Sequence, residues 1–277
     1  MDHANRLNGR SASTPASDST IKTPATCGIA FMAKASAPGR AKTRLVPPLT
    51  FEEAAALNTA FLQDVADNVL AAAKHAGIAG YAAFGPPGSE NFFQRTLPPA
   101  IGLIDAWLPN FGDCLYRTIE QILAHGHDSA VVLNSDSPTL PTAFLVETAE
   151  VLAQPGDRAV LGPSSDGGYY LLGLKTAHRH MFHDIAWSTE RVAAQTFERA
   201  REIGLDVHRL PVWYDVDDVD DLTRLYVDLD GAAARRPLGR DAPHHAGHSA
   251  AFLNRLWHDR DFHRRAAGFL ATEPLRA

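Results

Sequence analysis

Short apolar runs alternate with amphipathic stretches along the chain from residue 27 onward. The apolar runs have strand length, and they read CGIAFMA, GYAAFG, GLIDAWL, AVVLN, AVLGP, YYLLGL and VHRLPVW. Several of the stretches between them have helical spacing, including residues 141–152 and 189–203. This alternation predicts βαβ units, and therefore an α/β fold in which a Rossmann-like, mostly parallel sheet has helices on both faces.

The longest helix is predicted over residues 50–74. Thr50 can act as its N-cap, and Glu53, three residues later, completes the pattern of a capping box. One side of this helix carries apolar residues at helical spacing, namely Ala54, Leu57, Phe61, Val65 and Val69. This stripe predicts a buried face, so we assign it to the core rather than to a site.

Composition divides the chain into three parts. Residues 1–26 contain no aromatic residue, and 14 of them are Ser, Thr, Ala or Pro, so we predict a disordered extension. Residues 27–230 carry the alternating pattern and are predicted to form one domain. Residues 231–277 have the composition of a linker followed by a helix from about Ala251 to Leu270. Such a short helix needs a surface that covers its apolar side, either its own domain or a second subunit in a homodimer.

Length and composition argue against several classes of protein. The chain has 277 residues, of which 45% are hydrophobic and 21% charged, and no apolar stretch approaches the roughly 20 residues of a membrane span. Its two cysteines lack the spacing of a zinc site or a disulfide framework, which favours a cytoplasmic protein. The net charge is −6, and the eight arginines after residue 230 are too dispersed to indicate nucleic-acid binding.

A cation-rich loop follows the first predicted strand. In KASAPGRAKTRL, the cations Lys34, Arg40, Lys42 and Arg44 surround Gly39. Such a loop suits an oligophosphate, because glycine permits close approach of the backbone and the cations supply charge-assisted hydrogen bonds. The loop has neither the Walker pattern nor the GxGxxG pattern of dinucleotide-binding proteins. A solvated basic loop is the alternative.

Two acidic motifs lie at the ends of predicted strands. In NSDSP, Asp136 follows a buried run, and in WYDVDDVDDL, Asp215 and Asp217 alternate and so point to the same side. Open α/β sheets bind ligands at the carboxyl ends of their strands, and carboxylate oxygens suit Mg²⁺ or Mn²⁺. We therefore predict a metal site at Asp136, Asp215 and Asp217, with Ser135 beside it. The alternative for Asp136 is a turn that binds nearby amides.

Two further motifs are candidates for ligand contact. Asp166, Gly167 and Gly168 separate two apolar runs, and the glycines would let the backbone lie against a bound sugar or base. A hairpin turn is the simpler explanation on local grounds. Ser188 and Thr189, in AWSTE, can cap the helix that follows and turn its amides inward.

Taken in this order, the motifs resemble the bacterial DUF2064 family of glycosyltransferase-A-like proteins, some of which are labelled arsenosugar-biosynthesis glycosyltransferases. The resemblance runs from about Gly28 to Leu225 and rests on KASAPGRAKTRL, NSDSP, SSDGGYYLLGL, WSTE and WYDVDDVDDL. More distantly, the first loop and the aspartates resemble those of phospholactate guanylyltransferase and of the molybdenum-cofactor cytidylyl- or guanylyltransferases. Asn134 departs from the family pattern, which often has Gly before the Ser-Asp.

The resemblance implies a nucleotide-diphospho-sugar transferase fold of the GT-A type, with residues 27–230 as a nucleotide-binding catalytic domain. It implies catalytic roles for Asp136 and Asp217, and Mg²⁺ or Mn²⁺ bound by Asp136, Asp215 and Asp217. Together with the motifs, it assigns ten residues to substrate binding, namely Lys34, Arg40, Lys42, Arg44, Ser135, Asp166, Gly167, Gly168, Ser188 and Thr189.

Two reactions fit these features. One is metal-dependent glycosyl transfer from a nucleotide-diphospho-sugar to a small-molecule acceptor, which the family label favours. The other is nucleotidyl transfer from a nucleoside triphosphate to a phosphorylated or hydroxyl acceptor with release of pyrophosphate, which the four cations of the first loop favour. A catalytically silent nucleotide-binding protein is less expected, because all three aspartates are present. We therefore predict a glycosyltransferase.

Overall fold

The protein is represented by a computed structural model that describes residues 26–229, 239 and 241–267. Apart from residue 26, the predicted disordered extension lies outside the described residues, as do residues 231–238 and 240 of the predicted linker. The end of the predicted C-terminal helix, from residue 268 onward, lies outside them as well.

Seven strands form one sheet at the centre of the protein. They are β1 (Cys27–Lys34), β2 (Ile78–Gly85), β3 (Gly102–Asp105), β4 (Ser129–Leu133), β5 (Ala159–Pro163), β6 (Tyr169–Leu174) and β7 (Val207–Arg209). The order across the sheet is β3-β2-β1-β4-β6-β5-β7. β6 runs antiparallel to β4 and β5, whereas every other pair is parallel. The predicted mostly parallel α/β sheet is therefore confirmed.

Eight α-helices surround this sheet in the described part of the chain. They are α1 (Phe51–Ala72), α2 (Glu90–Thr96), α3 (Phe111–Ala124), α4 (Thr142–Ala153), α5 (Val192–Glu202), α6 (Val219–Leu229), α7 (Gly247–Trp257) and α8 (Arg260–Ala266). α1 and α4 cover one face of the sheet, and α3 and α5 cover the other. No helix among these is long and apolar enough to span a bilayer.

The start of α1 follows the prediction closely. The Thr50 hydroxyl accepts a hydrogen bond from the Glu53 amide at 3.1 Å, and the Glu53 carboxylate accepts one from the Thr50 amide at 2.8 Å. This capping box satisfies amides that have no partner inside the helix. The predicted apolar stripe is buried throughout. The first turn of α1 is therefore fixed directly after the cation-rich loop.

Two predicted elements differ in the structure. The strand predicted over VHRLPVW ends at Arg209, because Pro211 has no amide to donate, and only Trp213 pairs again, with Ser164. The C-terminal helix begins earlier than predicted and is broken in two. Asp259 causes the break, because its side chain accepts hydrogen bonds from the first amides of α8 and so starts a new helix.

The topology of the sheet places a crevice between β1 and β4. β2 and β3 lie on one side of β1, while β4 and the later strands lie on the other. The connection that follows β1 therefore leads to β2 on one side, whereas the connection that follows β4 leads to β5 on the other side. Open α/β sheets bind ligands at such a switch point.

Candidate functional site

A cleft of about 770 Å³ opens at this edge of the sheet. Its floor includes the ends of β1, β2 and β4 and the start of β6. Its volume lies in the range of small-molecule sites, roughly 300–1,000 Å³. Of the residues assigned to the site from the sequence, all but Gly167 line this cleft. Residues from five separate motifs are thus brought together.

The ammonium group of Lys42 lies between two of the predicted metal ligands. Its Nζ is 2.7 Å from Asp136 Oδ1 and 3.5 Å from Asp217 Oδ1, and it donates to the carbonyl of Val216 at 2.6 Å. The side chain is only 6% exposed and passes over the Phe61 ring. A solvated basic loop therefore does not describe Lys42.

The other cations of the first loop are more accessible. Lys34 and Arg40 are exposed at the cleft. Arg44 lies 3.3 Å from Asp217, but its side chain is 74% exposed. These three side chains can turn toward an anion in the cleft at little cost, because exposed ion pairs contribute little to stability.

Residues 214–217 are attached to the end of β4 by the main chain. The amide of Val216 donates to the carbonyl of Asp136 at 2.9 Å. The prediction that Asp215 and Asp217 lie at a strand end is wrong, because residues 214–217 belong to no strand in the structure. The predicted alternation is present nonetheless. Tyr214 and Val216 are buried, whereas the two aspartates line the cleft.

Asp215 is the most strongly perturbed carboxyl group at the cleft. Its pKa is raised to about 7, mainly by burial and then by the negative charges of Asp166, Asp217 and Asp136. Four carboxyl groups thus act on one another here, and the adjacent cations of Lys42 and Arg44 pair with only two of them. A ligand that brings positive charge would be stabilised beside these carboxyl groups.

A divalent cation fits the chemistry of these residues. Within residues 26–229, 239 and 241–267, no three His, Cys, Asp or Glu side chains converge as a ligand shell. Asp136, Asp215 and Asp217 share the cleft, but the ammonium of Lys42 lies between two of them. Carboxylate oxygens are the ligands that Mg²⁺ and Mn²⁺ prefer, and the charge repulsion at Asp215 favours a cation. Metal binding by these aspartates stays a prediction.

The Asp-Gly-Gly motif forms the turn between β5 and β6. The Asp166 carboxylate accepts a hydrogen bond from the Gly168 amide at 2.8 Å. Gly167 has a φ of 91°, and a Cβ there would lie 2.1 Å from the carbonyl oxygen of Glu190. The glycine is therefore required by close packing against residue 190. The hairpin-turn alternative is correct for the backbone, and Asp166 and Gly168 also line the cleft.

Ser188 and Thr189 lie in the cleft wall rather than at a helix cap. The Thr189 hydroxyl donates to the carbonyl of Ala186 at 2.7 Å and accepts a hydrogen bond from the Arg191 amide. Ser188 has a φ of 64°, which prevents the helix from starting there. α5 begins at Val192 without a side-chain cap, so the predicted capping role is wrong.

The sequence analysis missed an aromatic wall of the cleft, which is formed by Trp107, Phe111 and Trp187. Trp107 and Phe111 are 46% and 52% exposed, and the Phe111 ring packs edge-on against Trp187 at 5.5 Å. Trp107 lies over Gly85, where any Cβ would meet its ring at 1.8 Å. In the sequence these rings resemble ordinary core residues. Only their position after β3 and before α5 identifies them as cleft residues.

Two buried polar atoms at the cleft have no hydrogen-bond partner among the residues that the structure describes. They are Oδ1 of Asn134, at the end of β4, and the hydroxyl of Tyr169, at the start of β6. Leaving such a group unpaired costs about 1–3 kcal/mol. A ligand with a polar edge would supply the missing hydrogen bonds, so these atoms mark a place for ligand contact beside the aromatic wall.

Asp215→Asn is expected to stabilise the metal-free protein at high pH. A carboxyl group whose folded pKa is raised from 3.8 to about 7 destabilises the fold above its unfolded pKa, and this cost is complete once the pH exceeds the folded pKa. Asparagine is neutral throughout. Allowing for solvent screening of this half-buried group, Tm should rise by about 3–6 °C at pH ~8 and stay unchanged at pH ~3.5.

Calorimetry in the presence of a chelator at these two pH values measures this effect. The exposed Asp105→Asn variant is the control, and its Tm should match that of the wild type at both values. An equal rise at both pH values for the Asp215 variant would show that the charge of Asp215 is not the cause.

Comparison with known proteins agrees with this geometry. Residues 67–189 match the family DUF2064, described as an uncharacterized protein conserved in bacteria. The resemblance to DUF2064 is confirmed over these residues. The match includes the NSDSP and SSDGGYYLLGL motifs and WSTE up to Thr189, whereas the cation-rich loop and the WYDVDDVDDL motif lie outside it. No curated protein matches the chain.

The chain is similar to several solved structures, and one of them shares its fold. A protein from Desulfovibrio desulfuricans G20, described provisionally as a nucleotide-diphospho-sugar transferase, is 26% identical with a TM-score of 0.72, covering 87% of this chain and 98% of that one. A cytidylyltransferase from Leptospira borgpetersenii is 8% identical with a TM-score of 0.48, covering 91% and 100%. A manganese complex of Rv0371c from Mycobacterium tuberculosis is 16% identical with a TM-score of 0.41, covering 73% and 97%.

Proposed function

We propose that the protein is a metal-dependent glycosyltransferase that uses a nucleotide-diphospho-sugar donor and a small-molecule acceptor. The observation that carries this proposal is the mixed lining of the cleft, which holds both cations and carboxylates and an aromatic wall. A nucleotide-diphospho-sugar has matching parts, because a charged diphosphate joins two ring systems. The likeness to the Desulfovibrio protein supports the same class of substrate.

The cations and carboxylates of the cleft are proposed to bind the diphosphate. Arg40 and Arg44 are exposed and can donate to phosphate oxygens, while Asp136, Asp215 and Asp217 would hold Mg²⁺ or Mn²⁺. The metal would stabilise the charge that develops on the departing diphosphate. Lys42 contacts two of these carboxylates and also faces the cleft. Its ammonium can therefore serve the phosphates once another cation neutralises its present partners.

The aromatic wall is proposed to bind a ring of the donor or of the acceptor. Trp107, Phe111 and Trp187 present apolar surface that would bury such a ring and exclude water from the reacting end. Tyr169 lies beside this wall, with its ring 6.4 Å from that of Trp187, and Asn134 lines the same cleft. A ring with a polar edge could donate a hydrogen bond to Asn134 Oδ1 or bond to the Tyr169 hydroxyl, and such bonds would orient it.

Nucleotidyl transfer is the second candidate. Arg40, Lys42 and Arg44 all line the cleft, and three cations exceed what a diphosphate leaving group needs when a metal is also bound. A triphosphate would use them more fully, with attack at the α-phosphorus and release of pyrophosphate. The products separate the two reactions, because glycosyl transfer releases a nucleoside diphosphate instead.

A ligand screen tests the proposal first. The full-length protein would be heated with each nucleoside triphosphate and each common nucleotide-sugar, with and without Mg²⁺ or Mn²⁺, because a ligand that binds the folded state raises Tm. Metal-dependent stabilisation by a nucleotide-sugar supports glycosyl transfer, and stabilisation by a triphosphate alone supports the second candidate. Stabilisation by neither would contradict both and leave a silent fold.

Tyr169→Phe is expected to weaken ligand binding without weakening the fold. Within the described part of the chain the Tyr169 hydroxyl has no hydrogen-bond partner, so its removal costs no hydrogen bond there and the Tm should stay level or rise. Affinity for the ligand found in the screen should fall by about 3–10-fold, the value of one hydrogen bond. Calorimetric titration and thermal unfolding measure the two effects.

Tyr81→Phe is the matched control for this variant. The Tyr81 hydroxyl is 2.7 Å from His127 Nε2, away from the cleft, so its removal should lower Tm and leave affinity unchanged. If the Tyr169 variant instead binds the ligand as tightly as the wild type, its hydroxyl does not contact the ligand.

A further inference from the structure

One buried apolar cluster joins the segments that carry Lys42, Asp215 and Asp217 to the C-terminal helices. Leu45 ends the cation-rich loop and Leu49 follows it, while Tyr214 and Val216 alternate with the aspartates of the site. The C-terminal helices α7 and α8 complete the cluster with Phe252, Leu253, Leu256, Trp257 and Phe262. The backbone segments that carry the site residues thus rest on the C-terminal helices.

A buried carboxylate attaches α7 to α1. Asp64, 1% exposed, accepts hydrogen bonds from the amides of His248 and Ser249 at 2.9 and 2.8 Å, and a third from the Ser249 hydroxyl. These amides belong to the first turn of α7, where they have no partner inside the helix. The C-terminal helices therefore have a fixed position against α1.

Arg265 of α8 reaches the turn that joins the cation-rich loop to α1. Its Nε donates to the carbonyl of Pro48 at 2.8 Å, and its Nη2 contacts both carboxylate oxygens of Glu53 at 2.7 and 2.6 Å. Glu53 is also the residue that closes the capping box with Thr50. One guanidinium group therefore ties both the end of the turn and the start of α1 to α8.

The turn has few main-chain bonds of its own. The amides of Leu45, Val46 and Leu49 donate to carbonyls three or four residues earlier, at 2.9–3.2 Å. Lys42 precedes this turn with a φ of 49°, a left-handed conformation that costs a non-glycine residue about 1–2 kcal/mol. Such a conformation persists only where its surroundings hold it in place.

We propose that Arg265 is a positioning residue, which holds residues 43–49 so that Lys42 meets Asp136 and Asp217. Arg265 lies outside residues 67–189, which match DUF2064, so the family match says nothing of this role. Its effect on phosphate binding rests on the proposed function. Its effect on the turn does not, and the two can be measured separately.

Amide hydrogen exchange on full-length Arg265→Gln measures the effect on the turn. Glutamine keeps a donor for Pro48 but cannot pair with Glu53. Exchange at the amides of Leu45, Val46 and Leu49 should accelerate by about tenfold, while the amides of β1 and β4 keep the wild-type rate. Arg264→Ala is the matched control, because Arg264 is exposed and pairs only with Asp261 of the same helix. Arg265→Lys should restore part of the protection.

Pyrophosphate binding in the presence of Mg²⁺ measures the consequence for the site. Its affinity, from calorimetric titration, should fall by about tenfold in Arg265→Gln and remain unchanged in Arg264→Ala. Unchanged exchange at residues 45–49, or exchange that accelerates equally throughout the protein, overturns the positioning role. Local acceleration with unchanged pyrophosphate affinity overturns its link to the site. If the wild type binds neither pyrophosphate nor any nucleotide, the proposed function fails, whereas the exchange result still decides the positioning of the turn.

Discussion

Asp136→Asn is expected to lower kcat/KM by about 10³-fold, a loss of about 4 kcal/mol of transition-state stabilisation. Asp136 is the carboxylate nearest to the Lys42 ammonium, at 2.7 Å, and it lies at the end of β4 where the sheet order changes direction. The amide side chain keeps the shape but loses the charge that a divalent cation would need. The variant should therefore lose both activity and metal-dependent nucleotide binding.

Steady-state rates with the donor found in the screen measure this loss, and titration with Mn²⁺ measures metal affinity directly. Asp113→Asn is the control. Asp113 lies on α3 and forms an exposed ion pair with Arg179 at 3.3 Å. Its kcat/KM should stay within about twofold of the wild type, as expected for an exposed pair. A kcat/KM within tenfold of the wild type in the Asp136 variant, with a normal Tm, would remove Asp136 from the reaction.

Local sequence signals were sufficient for β1, α1 and β4, three of the elements that border the site. The runs of β1 and β4 have the apolar pattern of strands covered on both faces, and the structure buries all of β4 and all of β1 except Met32 and Lys34. Thr50 and Glu53 gave the start of α1 because a capping box involves only residues three apart. Strand ends of a parallel sheet meet at one edge, so Asp136 could be assigned to the cleft before its neighbours were known.

Contacts between distant parts of the chain could not be predicted in this way. Lys42 was assigned to phosphates from its loop alone, and nothing local indicates that its ammonium lies between Asp136 and Asp217, about a hundred residues or more away. The aromatic wall was missed for a related reason. Trp107 and Trp187 have the composition of core residues, and only the tertiary fold decides that they border a cleft.

The C-terminal helices illustrate the same limit on a larger scale. Their apolar side predicted a covering surface, but the sequence left open whether that surface was in the same chain or in a second subunit. In the structure it is formed by α1, α6 and the turn after the cation-rich loop. The residues that select this surface, Asp64 and Arg265, are charged and read as solvent-exposed in a sequence. Whether the protein also forms a homodimer stays a prediction.

Lys42→Met is expected to have opposite effects on metal and nucleotide. Methionine keeps an unbranched apolar side chain but removes the ammonium, which lies 5.3 Å from the centre of the Phe61 ring, and so leaves Asp136 and Asp217 without their cation. Affinity for Mn²⁺ alone should therefore increase, because no ammonium competes for the carboxylates. Affinity for the nucleotide in the presence of metal should fall by about 10²-fold, since a nearly buried, charge-assisted donor to phosphate is lost, and the remaining affinity should be less sensitive to salt.

Separate calorimetric titrations with Mn²⁺ and with the nucleotide measure the two effects, at low and at moderate ionic strength. Lys74→Met is the matched control, because Lys74 is an exposed lysine beyond the end of α1 and does not line the cleft. It should leave both affinities unchanged. If Lys42→Met lowers the affinity for Mn²⁺, the ammonium does not compete with the metal, and the two occupy different places in the cleft. If it changes neither affinity but lowers Tm, Lys42 is a structural ion pair, and the phosphate site must be formed by Arg40 and Arg44 alone.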